Sequence, residues 1–190
     1  MIEGIDKTSL LLTCAVDQPL ASLERRLNRE GFTLGYRPAK GGRTTLRQAL
    51  EKRIPNRDAL LYGEIEDLCV SLKAIRKGED LITRNVPRAA TGPDFKKILI
   101  GSGARYAKID KAVLRIHPRP EAREKIRVAW TAKKDRDDFL KKFWGSGIRP
   151  AVFSASARGA AVTLEGSREG VAAERACLQK IVRETKGKVL

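Results

Sequence analysis

Tyr62-Gly63-Glu64-Ile65-Glu66-Asp67-Leu68 runs without a break into the apolar stretch Leu68–Ile75, and Arg76-Lys77-Gly78-Glu79-Asp80 then separates that stretch from Leu81–Arg84. Two apolar segments joined by a short polar run containing glycine predict a β-hairpin, because glycine supplies the positive φ that a tight turn needs. The acids Glu64, Glu66 and Asp67 alternate along the entry to the first strand, which suits solvent-facing or helix-capping roles and asks for no paired-carboxylate chemistry. Beyond the hairpin, Pro87–Pro93 reads as a loop and Asp94 caps a short helix through Leu99. Ala112–His117 reads as a strand alternating apolar Val113 and basic Arg115, and Pro118 stops it.

Upstream, Thr8–Val16 is apolar with β-branched character and predicts a buried strand, after which Asp17-Gln18-Pro19 supplies an N-cap and a first-turn proline for a helix. Leu20, Leu23 and Leu27 recur at helical spacing with Arg25, Arg26 and Arg29 on the other side, and Gly31 is placed to close that helix. Phe32–Tyr36 returns as a short strand, and Thr44 or Thr45 caps a second helix through about Arg53, broken by Ile54-Pro55-Asn56-Arg57. Downstream of the proline-flanked stretch Pro118–Glu124 come a strand (Ile126–Trp130), a helix (Lys133–Phe143), two strands (Ala151–Ala155 and Ala160–Glu165) and a helix (Glu169–Thr185). That order is a partial ferredoxin-like βαββα unit, and it divides the chain into residues 1–120 and 121–190. No internal repeat or low-complexity tract is visible.

The 190 residues carry 39 Lys and Arg against 23 Asp and Glu, a net charge of +16. A field of that sign attracts anions. The cations form no block of five or six and have no aromatic residues interleaved as stacking platforms, so an acidic protein surface or a phosphate-bearing ligand is a better expectation than nucleic acid. Met1–Lys7 holds two acids and no apolar stretch, and no run reaches the roughly 18 to 20 apolar residues of a membrane span. A cytoplasmic, soluble protein is expected. Cys14, Cys69 and Cys177 are odd in number, far apart and each in an apolar context, which points to buried thiols and to neither a disulfide framework nor a metal site.

Tyr62-Gly63-Glu64-Ile65-Glu66-Asp67-Leu68, the hairpin, Ala90-Thr91-Gly92-Pro93-Asp94, Ile100-Gly101-Ser102 and Ala112-Val113-Leu114-Arg115-Ile116-His117-Pro118 follow one another in an order and spacing that resembles the FAD-linked oxidase family. Its members have a PCMH-type FAD-binding domain, as in glycolate oxidase, D-lactate dehydrogenase and alkyldihydroxyacetonephosphate synthase. The resemblance covers roughly Ser9–Pro120. It implies an α+β fold: the second subdomain of that domain, an antiparallel sheet with flanking helices, followed by the small βαββα unit as the start of a cap domain. The family's N-terminal subdomain, with its glycine-rich pyrophosphate loop, is expected to be missing.

The resemblance also implies FAD as the cofactor, with Thr45, Tyr62, Gly63, Gly101, Ser102 and Ile109 at its border. Two departures bear on this. Where the family has adjacent glycines after a Thr-Leu pair, Thr45-Leu46 is followed here by Arg47-Gln48, and where it reads Gly-Ser-Glu-Gly-Thr-Leu-Gly this chain reads Gly101-Ser102-Gly103-Ala104-Arg105-Tyr106-Ala107. Side chains in a loop that a cofactor must approach closely are a steric bar. Alone, the chain is therefore expected not to hold FAD tightly. Gly101, Ser102 and Gly103 offer either an anion-binding nest or a plain turn.

Lys40, Arg43, Arg47, Arg105 and Lys108 would converge on one electropositive mouth for an acidic partner or a phosphate group. His117, the single histidine, stands in a strand-to-proline corner and is expected to be structural. No catalytic residue or metal ligand emerges. The expected function is an accessory or degenerate subunit of a flavin-dependent hydroxy-acid dehydrogenase. The alternatives are an FAD-dependent oxidoreductase completed by a separate chain and a cofactor-free basic module binding nucleic acid or another polyanion.

Overall fold

The computed structural model describes residues 2–39, 43–84 and 94–190. The Pro87–Pro93 loop, Lys40 and most of the Ala90–Asp94 motif lie outside them. The chain divides into two compact units, Met1–Arg57 with Tyr62–Arg119, and Asp58–Leu61 with Pro120–Leu190.

In the first unit, β1 (Ile2–Asp6) pairs antiparallel with β2 (Leu11–Ala15). Thr8 to Leu10, expected within a strand, form the turn between them, where Asp6 Oδ1 accepts hydrogen bonds from the Thr8 and Ser9 amides at 3.0 and 2.9 Å. Helix α1 (Leu20–Arg29) buries Leu20, Leu23 and Leu27, the stripe that its leucine spacing predicts, and Gly31 follows it at φ +83°. Its N-cap differs from expectation: Pro19 holds that position without a side-chain bond, because the Asp17 carboxylate is taken by Arg47. β3 (Phe32–Thr33) is shorter than the predicted strand.

Helix α2 (Leu46–Lys52) starts at Thr45, whose hydroxyl accepts from the Gln48 amide while the Gln48 side chain accepts from the Thr45 amide, each at 3.2 Å. This reciprocal cap satisfies two donors that a helix start leaves open. Next along the chain, one-turn helix α3 (Ala59–Tyr62) starts in the Asp58–Leu61 segment of the second unit, and α4 (Ile65–Leu68) returns to the first. α4 stands where a strand entry was expected; the Glu64 amide donates to Asp67 Oδ2 at 2.9 Å, so the acids do serve as caps.

The hairpin forms as β4 (Cys69–Arg76) and β5 (Glu79–Ile82), turning through Lys77 at φ +49° and Gly78 at φ +88°. α5 (Phe95–Leu99) is capped by Asp94, and β6 (Lys108–Arg115) and β7 (His117–Pro118) complete the unit. Five strands run in the order β1-β2-β6-β4-β5, every neighbouring pair antiparallel, and β3 pairs separately with β7. One face of the sheet packs against the leucines of α1 and α2.

The second unit consists of β8 (Ala122–Ala129), α6 (Lys133–Gly145), β9 (Val152–Ala155), β10 (Gly159–Gly166), α7 (Arg168–Glu184) and β11 (Lys188–Val189). Its sheet order, β11-β8-β10-β9 with antiparallel neighbours, is that of a ferredoxin-like unit, with a short fourth strand added to the predicted βαββα. Aromatic rings fill the core: Phe139 and Phe143 are fully buried, and Phe143 stacks on Phe153 at 4.9 Å between centroids.

Candidate functional site

The residues expected to border a cofactor fall in the first unit, and most of them are bound into its structure. Thr45 is a helix cap. Tyr62 lies 4.9 Å from the His117 ring, and a Cβ at Gly35, which has φ +65°, would overlap the Tyr62 ring. Glycine at position 35 thus makes room for Tyr62. Gly63, at φ +84°, has no space for a side chain beside Asp67, and its carbonyl accepts from Asn56 Nδ2 at 2.8 Å. Ile109 is fully buried, so its side chain faces the core, and its carbonyl accepts from Arg47 Nη1.

Arg47 departs most from expectation. Its guanidinium holds both oxygens of Asp17, at 2.7 and 2.8 Å, and bonds the Ile109 carbonyl, with Glu51 Oε1 a further 3.8 Å away. The side chain is 14% exposed. Its bond to Asp17 raises the Arg47 pKa and holds the Asp17 carboxyl below the usual range. Arg47 is therefore an internal clamp joining α2 to β6 and to the turn before α1. Of the other expected cations, Arg43, Arg105 and Lys108 are exposed, and Lys108 lies close enough to Asp17 to help lower its pKa. Lys40 lies outside the described residues.

The Gly101–Ala107 turn keeps a glycine-like shape. Gly101, Gly103 and Ala104 have φ of +83°, +61° and +62°. Three of its main-chain donors are nevertheless engaged within the unit: the amides of Gly101, Ser102 and Gly103 donate to the carbonyls of Leu50, Leu99 and Glu51 at 2.8, 3.2 and 2.9 Å.

Beside this turn opens a cavity of about 380 Å³ whose walls include Arg53, Ile98, Ser102, Arg105 and Tyr106. Ile98 and Tyr106 are 46% and 52% exposed. Arg53, which the sequence reading did not single out, ends α2 in a left-handed conformation at φ +46°, and its Nε pairs with Glu66 at 2.9 Å. Only its place just before the Ile54-Pro55 break marks it in the sequence.

The second unit holds a buried ion cluster that the sequence did not reveal: Arg123 contacts both oxygens of Asp58, at 2.9 and 3.2 Å, and Glu165. Its acids lie 107 positions apart in the chain (165 − 58). Burial pushes the thiols of Cys14 and Cys69 up to about 12, which leaves them unreactive at neutral pH. Cys177 departs from the expectation of burial and is only half-buried. Burial and then Arg115 lower the pKa of His117. No group of three metal-ligating side chains occurs among the described residues, and none of their helices is long and apolar enough to cross a membrane.

No protein-family model matches the chain. Among curated proteins, an alkyldihydroxyacetonephosphate synthase of Caenorhabditis elegans is 35% identical over 115 residues, 59% of this chain and 19% of that protein. The uncharacterized FAD-linked oxidoreductase YgcU of Escherichia coli K12 is 29% identical over 154 residues, 80% of this chain and 32% of its own length. A solved structure of an alkyldihydroxyacetonephosphate synthase superposes on the whole chain with a TM-score of 0.86 at 19% identity, with 41% of that chain covered. The chain thus spans between a fifth and a third of these curated relatives.

Proposed function

Because the chain is a relative of the FAD-linked oxidases over most of its length, we propose that it serves as an accessory or degenerate subunit of a flavin-dependent hydroxy-acid dehydrogenase and does not hold FAD tightly alone. The observation that carries this reading is the state of the two segments a flavin would approach. At one, the Arg47 side chain occupies the space between α2 and β6 and is tied there by Asp17 and Ile109. At the other, all three main-chain amides of Gly101–Gly103 are bonded to carbonyls of the same unit. A dinucleotide held by backbone donors needs those donors free and the main chain bare. The residues present do not fit a tightly bound FAD.

The visible absorption spectrum tests this. The chain incubated with FAD and then desalted should be colourless, and flavin absorption retained after desalting would overturn the reading. A second reading, in which a separate chain completes an active oxidoreductase, draws support from the left-handed turn kept at Gly101, Gly103 and Ala104 and from Phe95, Ile98 and Tyr106, which stand exposed in the same unit. Its signature is a protein that turns yellow only when co-expressed with the chain that completes it. A colourless protein eluting from heparin with a steep salt dependence would favour the polyanion module instead.

A further inference from the structure

We propose that the cavity beside the Gly101–Tyr106 turn binds a tetrahedral oxyanion, inorganic phosphate being the simplest, through side chains and without main-chain amides. Ser102, Arg53 and Arg105 all line this one cavity. The Ser102 hydroxyl is buried and has no hydrogen-bond partner among the described residues. A buried, unpartnered hydroxyl is unfavourable, and a rotation about χ1 toward the cavity sacrifices no bond. A ligand acceptor would remove the cost.

The two arginines contribute differently. Arg47 and Arg123 are held by carboxylates, but no hydrogen bond or ion pair engages the Arg105 guanidinium among the described residues, and it stands exposed at the cavity. Arg53 gives its Nε to Glu66 at 2.9 Å and brings Nη2 within 3.4 Å of the Ile100 carbonyl, which fixes its direction and leaves Nη1 for a ligand. Glu66 offsets the charge of Arg53, so Arg105 supplies the net positive charge. The bare backbone of Gly101 makes room for this arrangement, since a Cβ there would lie 3.3 Å from Arg53 Nε.

Two guanidinium groups and a hydroxyl lining one cavity suit a tetrahedral phosphate, which can carry two negative charges, better than a planar, singly charged carboxylate. The site does not depend on the flavin reading, because it uses side chains and because the amides a dinucleotide would need are spent.

Titration of the full chain with inorganic phosphate at constant ionic strength, followed by phosphorus NMR or calorimetry, tests it. Saturable binding is expected, weakened about tenfold by Arg105→Ala and severalfold by Ser102→Ala, the scale of one charge-assisted and one neutral hydrogen bond. Acetate should compete at least about tenfold more weakly than sulfate, which shares the tetrahedral geometry. Arg29→Ala, an exposed cation on α1 outside the cavity wall, should leave binding unchanged. The proposal is overturned by any of three results: no saturable binding, equal competition by acetate and sulfate, or losses in Arg29→Ala as large as in Arg105→Ala.

Discussion

The start of α2 at Arg47 and Gln48 and the turn at Ala104 both carry side chains where the resembled family has glycine, yet their backbones differ. Arg47 and Gln48 lie inside α2, so their backbone is helical and makes no use of glycine's freedom. Each side chain has acquired structural work, Gln48 in the cap and Arg47 in the clamp. Ala104 instead sits at φ +62°, a left-handed conformation that glycine takes without cost, and its neighbours Gly101 and Gly103 are left-handed as well. In this chain one segment is helical with its side chains in structural use, whereas the other holds an alanine in the left-handed region. The same kind of substitution in a sequence therefore has opposite structural meanings.

Arg47→Ala should produce the largest effect. It strips the bond from the buried Ile109 carbonyl and leaves Glu51 Oε1, already without a hydrogen bond, with no cation beside it. A loss of about 2 kcal/mol in urea unfolding is expected, most of it from the interior groups because Asp17 is 72% exposed. A loss below about 0.5 kcal/mol would mean that the clamp is no more than surface charge.

The second turn gives a pair of opposite signs. Gly101→Ala places a methyl at φ +83° and against Arg53, and should cost about 1 to 2 kcal/mol. Ala104→Gly relieves an alanine held at φ +62°, and should stabilise by about 0.5 to 1 kcal/mol. If Ala104→Gly destabilised the protein by a similar amount, the turn's conformation would not be what the two residues differ over.

The smallest effect is a pH dependence through His117. Burial and Arg115 lower its folded pKa, so the unfolded chain takes up the proton first as pH falls. The stability it contributes is complete above about pH 6.5, the unfolded value, and declines from there down to the lowered folded pKa. Arg115 and the ring of Tyr62 are the groups that face it. Urea midpoints measured between pH 7.5 and 5.5 should fall more in the wild type than in His117→Gln. Equal slopes would remove the histidine from the account.

Much of the fold is legible in the chain because local signals decide it. The Leu20, Leu23 and Leu27 stripe, the Thr45 and Asp94 caps and the Lys77-Gly78 turn each act within a few residues, and each appears where the sequence puts it. β1 and β11 were not legible. Ile2-Glu3-Gly4-Ile5-Asp6 and Lys188-Val189 have little strand character of their own and are strands only because β2 and β8 offer them a free edge. The site shows the same division. Gly101 and Ser102 can be picked out from their motif, but Arg53 joins them at a cavity only because α2 ends beside that turn, where the Gly101 and Gly103 amides reach the Leu50 and Glu51 carbonyls.

By itself the amino-acid order determined the longer helices, the hairpin, the change of pattern near Pro118 and the resemblance to FAD-linked proteins, because periodicity, caps and turn residues are read over short distances. Only the tertiary structure decided that Arg47 points inward to Asp17 and Ile109, that the Gly101–Gly103 amides are spent, and that Asp58, Arg123 and Glu165 meet. Those outcomes depend on which polar groups are brought within hydrogen-bond reach from distant positions, and burial forces such groups to pair with whatever partner the packing supplies.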